Sequence, residues 1–271
     1  MSRMSLSSLL SVSAGGEAEV KIVRSVREAE YREGDIVLGR GTDVVASDGG
    51  VTERVLVMRC DEVRFTRGGV IAESGAPLGA LATEACRRSL SGLEWAVGIP
   101  GSVGGAVVMN AGAFGGETGR LVRRVRVLTE RGIADIPSGD LTFSYRGVSG
   151  LPSGAILEVE LSLVPGDARK IFSAVSENIK RRRASQPSGR SAGSVFLACD
   201  GVPAGYHIDR AGLKGLRCGG AHVSDKHANF IIMDEGAKAE DFRALAETVK
   251  LKVYSAFGVK LKEEVRYIGR F

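Results

Sequence analysis

The chain has 271 residues, 44% of them hydrophobic and 25% charged, with a formal net charge of +5. That balance suits a soluble protein of one large or two medium domains, and no apolar run reaches the roughly 18 to 20 residues of a membrane helix. Four scattered cysteines (Cys60, Cys86, Cys199, Cys218) without a CxxC pair argue against a disulfide framework or structural zinc.

The first sixteen residues resemble a signal peptide only superficially, because serines break the apolar core from Leu6 to Val12. A cytoplasmic location is therefore expected. Glu19 to Val23 alternates as a strand does, and Ser25 to Tyr31 is compatible with two helical turns. Asp35 to Leu38 reads as a short strand running into Gly39-Arg40-Gly41-Thr42-Asp43. Such a turn can present backbone N–H groups to phosphate. It fails the GxGxxG fingerprint because Val44 stands where the third glycine belongs. A hairpin turn explains the pattern equally well.

Arg54 to Met58 and Val70 to Glu73 read as strands, and Pro77 to Ser89 as a helix with Leu78, Leu81, Ala82 and Ala85 on its apolar face. Next comes GIPGSVGGAVVMNAGAFGG, residues 98 to 116, with seven glycines in nineteen positions and no charge. Small residues let a backbone approach a flat or diphosphate ligand closely. The stretch is expected to be a loop, either wrapped on a large cofactor or simply tightly packed. Leu121 to Thr129 and Ala155 to Val164 are clear strands, flanking a polar-aromatic turn at Phe143 to Gly147.

Pro165-Gly166 breaks this pattern, and Asp167 can cap a helix to Arg183. That helix ends in the densest basic run, Lys180 to Arg183, which complements the helix dipole. It lacks the interleaved aromatics of a nucleic-acid surface, so neither nucleic acid nor membrane is expected as a partner. Ala204 to Leu213 suggests a short helix and Phe230 to Met233 a buried strand. Ala239 to Phe257 is a strong amphipathic helix ended by Gly258, and Glu263 to Ile268 a last strand. The three histidines (His207, His222, His227) lack metal-ligand spacing, and no metal is expected.

Several segments together resemble the UDP-N-acetylenolpyruvoylglucosamine reductase family. They are GRGTDVVASD (39–48), GLEWAVGIPGSVGGAVVMNAGAFGGE (92–117), FSYRG (143–147), RRRASQPSGRSAGSVF (181–196), AGYHIDRAGLKGLRCGGAHVSDKHANF (204–230) and GVKLKEEVRYIG (258–269). The resemblance implies the shorter form of the family and an α+β fold. A two-subdomain FAD-binding part of the vanillyl-alcohol-oxidase (PCMH) type, residues 1–165 split near 50, would precede an α+β substrate-binding domain at 166–258. A C-terminal strand within 259–271 would return to the FAD part. Two departures stand out. Gly41-Thr42-Asp43 replaces the family's Gly-Ser-Asn, setting a carboxylate where a neutral amide is usual, and the segment between Val23 and Asp35 is short.

The activity implied is reduction of an enol ether conjugated to a carboxylate, with FAD as cofactor and NADPH as reductant. Arg146 would pair with the substrate carboxylate and stabilise the enolate. Ser194 would give the proton, and Glu264 would sit across the carboxylate, protonated or sharing a proton. On composition alone Glu263 would serve as well as Glu264. For FAD the resemblance indicates Gly39, Arg40, Gly41, Thr42 and Asp43 at the pyrophosphate. It adds Gly98, Ile99, Pro100, Gly101, Gly104 and Gly105, with Asn110, Ala111 and Gly112. Tyr145 and Arg183 are the expected substrate and phosphate contacts. The expected ligand is a small UDP-sugar, on a monomer.

Overall fold

The computed structural model describes residues 2–271. The chain folds into two compact units of α+β character, cut differently from the ranges expected above. The first holds Val20–Arg40 and Arg54–Arg182, and the second Ser2–Glu19, Gly41–Glu53 and Arg183–Phe271.

In the first unit, strand Val55–Met58 lies between residues 20–23 and Ile36–Leu38, parallel to both. All four of its residues are buried, which is why it reads as continuous Val-Leu-Val-Met without alternation. An antiparallel sheet follows, in the order Gly132–Pro137, Val122–Thr129, Ala155–Ser162, Gly69–Glu73, Val63–Thr66. Its inner face (Val70, Ala72, Val125, Val127, Val159, Leu161) packs on Leu78, Leu81, Ala82 and Ala85 of the helix Leu78–Arg87. Its outer face carries ion pairs of Arg124 and Arg126 with Asp135, and of Arg126 with Glu158. The helix Ala168–Ser185 buries only Ile171 fully.

Two sequence expectations are corrected here. Ser25 to Tyr31 forms a single 3-10 turn, Val26–Glu28, rather than two α-turns. Few residues lie between the flanking parallel strands, and one tight turn uses them. The glycine-rich stretch is not all loop either: Val103–Val108 is a short helix capped by Ser102, whose Oγ accepts from Gly105 N–H at 3.3 Å. Val103, Ala106 and Val107 are buried, so tertiary packing overrides two glycines of poor helix propensity.

Arg54 immediately precedes the central parallel strand and is 7% exposed in its side chain, against 4% for its partner Asp35. Arg54 donates from Nε to Asp35 Oδ1 at 2.8 Å, from Nη2 to Oδ2 at 2.5 Å, and to Glu30 O at 3.1 Å. Burial raises the Asp35 pKa, but hydrogen bonds from Arg54 and the Arg32 backbone outweigh it and hold the carboxyl below its ordinary value. Its stabilisation is therefore present above the ordinary carboxylate range and is lost as pH falls through the depressed value. Arg54→Met is expected to cost about 3–5 kcal/mol by leaving a buried carboxylate unpaired. Urea melts at pH 7 check this, and the gap to wild type should narrow at acid pH.

In the second unit, Val44–Ala46 pairs in parallel with the last strand, Arg266–Ile268, and Arg266 N–H donates to Asp43 O at 3.0 Å. Arg217–Cys218, Ala221–Val223 and Ile231–Met233 form a small antiparallel sheet. The helix Ala239–Phe257 buries Phe242, Leu245, Ala246, Val249 and Val253 of the face expected from its periodicity, but Phe257, expected on the same face, lies in the last turn and is 40% exposed; the helix ends at Gly258 with φ 68°.

Candidate active site

The first unit supplies the glycine-rich backbone. Gly39 and Ser102 come so close that a Cβ at Gly39 would overlap Ser102 Oγ, and a Cβ at Gly104 would lie 2.8 Å from Ser74 Cβ. Gly98 and Gly101 take φ values of 77° and 117°, which side chains rarely adopt. Gly39→Ala should therefore destabilise by about 1–3 kcal/mol, whereas Ser102→Ala costs only the cap, about 1 kcal/mol. The double variant should cost less than their sum in thermal melts, because removing Oγ makes room for the new methyl.

Within this unit the Gly39 turn and the stretch from Gly98 to Gly105 are neighbours. Arg40 Nε donates to Gly75 O at 3.3 Å, and Arg59 Nη1 donates to Gly39 O at 2.5 Å. Closely opposed small residues beside two guanidiniums fit a dianionic diphosphate such as that of FAD. Gly41, Thr42 and Asp43 belong to the second unit. There Gly41 has φ 64°, and a Cβ on it would overlap Leu9 O.

Asn110, expected at the cofactor, commits its side chain to the protein. It is 3% exposed, donates from Nδ2 to Ser144 O at 2.9 Å and accepts from Gly119 N–H at 2.9 Å. It thereby ties the end of the glycine-rich stretch, with Ala111 and Gly112, to the hairpin Thr142–Ser144/Gly147–Ser149. Tyr145 and Arg146 form the tip of that hairpin. Arg146 has φ 57°, an uncommon conformation for a residue with a side chain, and such strain concentrates at functional sites. Its Nη1 donates to Gly112 O at 3.5 Å, and its guanidinium lies 5.3 Å from the Tyr145 ring centroid. Tyr145 is 61% exposed.

The second unit brings Ser194 and Glu264 together. Gly193 turns the chain with φ 75°, and Ser194 bridges Phe230. Val195 N–H donates to Asn229 O at 2.9 Å, while the Asn229 side chain holds both polar backbone groups of Phe196. Glu264 N–H donates to Val195 O at 2.7 Å, so the backbone of Glu264 runs beside the residue that follows Ser194. The Ser194 hydroxyl makes no hydrogen bond among the described residues. Glu263 is anchored elsewhere: it accepts from Tyr267 Oη at 2.8 Å and from Lys250 Nζ at 3.4 Å. Burial, then the Glu263 charge, raises the Tyr267 pKa, which keeps the phenol neutral as donor.

Of the basic run, Arg183 is exposed and its carbonyl accepts from Lys226 Nζ at 2.6 Å. The residue missed in sequence is Arg182. It is half-buried, its Cδ would lie 3.4 Å from a Cβ on Gly98, and its guanidinium sits 5.6 Å from the Phe114 ring centroid. Burial lowers its pKa. Helical phase relative to the buried Ile171 could have singled it out: Ile171, Val175 and Ile179 line the packed face, and Arg182 extends that row by three residues.

Comparison with known proteins gives consistent matches. Residues 185–268 match the family described as UDP-N-acetylenolpyruvoylglucosamine reductase, C-terminal domain, and residues 14–134 match an FAD binding domain. The UDP-N-acetylenolpyruvoylglucosamine reductase of Lactiplantibacillus plantarum is 40% identical over 237 residues, covering 86% of this chain and 78% of the relative. That of Alkalilimnicola ehrlichii is 38% identical over 268 residues, covering 94% and 90%. The crystal structure of the Thermus caldophilus UDP-N-acetylenolpyruvylglucosamine reductase matches with a TM-score of 0.87 at 34% identity, covering 99% of this chain and 98% of that one.

Proposed function

The chain belongs to the UDP-N-acetylenolpyruvoylglucosamine reductase family of FAD-dependent oxidoreductases, and from that premise we propose the reaction and the residues that carry it. The reaction is reduction of the enolpyruvyl ether of UDP-N-acetylglucosamine to the lactyl ether, UDP-N-acetylmuramate, with NADPH as reductant. When bound, FAD supplies the two-electron chemistry that passes hydrogen from the nicotinamide to the terminal enolpyruvyl carbon.

Arg146 holds the substrate carboxylate with a forked guanidinium and stabilises the negative charge that spreads onto it as the double bond is reduced. Ser194 gives its hydroxyl proton to the adjacent carbon. A serine is a weak acid, but an enolate carbon is a strong base, and the transfer is downhill if the proton is resupplied. Glu264 presents its carboxyl beside Ser194 to interact with the same substrate group. The anchoring of Glu263 on Tyr267 and Lys250 supports Glu264 as the carboxyl for this role, since successive strand-like residues point to opposite sides. Tyr145 and Arg183 are proposed contacts of the sugar nucleotide, and the positive net charge favours such polyphosphate ligands.

The observation that carries this reading is the serine hydroxyl without a protein partner among the described residues, on a backbone locked by Asn229 and Glu264. Incubation with the enolpyruvyl UDP-sugar and NADPH should yield a product heavier by two hydrogens in mass spectrometry. NADH should be the poorer donor. Unchanged substrate in the presence of bound flavin and NADPH would reject the assignment.

A further inference from the structure

The central parallel strand of the first unit, Val55–Met58, has an arginine at each end. Arg54 at its start is matched to a buried carboxylate. Arg59 at its end is not. It is half-buried, and its Nη1 donates to Gly39 O at 2.5 Å and to Met58 O at 3.4 Å. Among the described residues Arg40 likewise bonds only a carbonyl, Gly75 O, at 3.3 Å. Among the described residues neither guanidinium has a carboxylate partner. Nε and Nη2 of Arg59 remain as donors without protein acceptors there.

This arrangement is electrostatically costly as it stands. Burial, and then repulsion from Arg40, pull the Arg59 pKa below its ordinary value. Two cations held together with one of them partly desolvated call for a counter-charge. The place is also where parallel sheets bind ligands: Gly39 and Arg59 both follow the carboxyl ends of parallel strands, Ile36–Leu38 and Val55–Met58. The Gly39 backbone, kept bare by its close approach to Ser102, lies under the Arg59 fork.

We propose that Arg40 and Arg59 form a two-arginine clamp on a diphosphate lying against the Gly39 turn, with Arg59 the principal cation. The proposal rests on the FAD-dependent reading above and assigns the charge that holds the cofactor's diphosphate. Planar guanidiniums offer paired N–H donors to phosphate oxygens, and removing either charge-assisted interaction should weaken binding by about tenfold or more.

The test uses full-length protein stripped of FAD and retitrated by flavin fluorescence, with inorganic pyrophosphate as competitor. Arg59→Gln and Arg40→Gln should each weaken FAD by about tenfold or more, and both should abolish the competition that pyrophosphate shows in wild type. Arg59→Lys, which keeps the charge and loses the fork, should fall between wild type and Arg59→Gln. Unchanged FAD affinity in both glutamine variants overturns the clamp, as does weaker FAD binding with pyrophosphate still competing, or wild type in which pyrophosphate never competes. Should Arg59→Gln fail to fold, Arg40→Gln decides by the same criteria. Wild type that cannot rebind FAD defeats the flavoenzyme reading itself, and the clamp with it.

Discussion

Ser194→Ala is expected to leave flavin reduction by NADPH at its wild-type rate and to slow the following reduction of the enolpyruvyl substrate by about 10²–10⁴-fold, the range for loss of a positioned acid. The separation follows from the proposed proton transfer, which only the second half-reaction uses, while the surroundings of the serine bear on stability. Its backbone is held by neighbours, through Val195 to Asn229 and Glu264, and through Phe196 to the Asn229 amide. Its hydroxyl holds nothing among the described residues. Removing that oxygen therefore costs little stability, and thermal melts of the variant should overlay those of wild type within about 0.5 kcal/mol. Rapid-mixing absorbance measures the two half-reactions separately. Equal slowing of both would mean that Ser194 shapes the cofactor site and donates no proton.

Arg146→Gly should separate stability from activity in the opposite sense. At φ 57° an arginine is strained and a glycine is not. The variant should thus melt at or above the wild-type temperature, since the strain relief of about 1 kcal/mol offsets the added freedom of the unfolded chain. Its turnover should fall by about 10²–10³-fold or more, because the cation proposed to face the developing carboxylate charge would be gone. Arg146→Lys keeps the charge and the strain but loses the fork, so it should recover only part of the rate. A glycine variant that is both less stable and fully active would show that the turn geometry serves the fold alone. Asn110 supports the same hairpin, since its amide bonds to Ser144 O and Gly119 N–H set the base of the turn that carries Arg146.

The elements with strong periodicity were legible in the sequence. The face of Ala239–Phe257 and the strands Val122–Thr129 and Ala155–Ser162 follow directly from which positions are apolar. The short helix Val103–Val108 was hidden because glycine disfavours helix and what stabilises this one is tertiary, the burial of Val103, Ala106 and Val107. Pairing between distant segments was equally silent. Nothing in the local pattern of Arg266–Ile268 says that its neighbour is Val44–Ala46, or that Glu264 lies beside Val195. The chemical types at Arg146, Ser194 and Glu264 could be named only through the matching motifs. Composition could not tell Glu263 from Glu264, and only folded contacts show that Glu263 accepts from Tyr267 and Lys250. Arg59 was invisible for a related reason: its neighbour Arg40 is nineteen positions away, and only the parallel sheet brings Gly39 under it.

The most direct measurement is an anaerobic absorbance titration of the flavin-loaded protein in two steps. NADPH added first should bleach the visible flavin band, and the enolpyruvyl ether of UDP-N-acetylglucosamine added next should restore it in proportion to the substrate supplied. A band that bleaches and then stays bleached through the second addition would contradict the account.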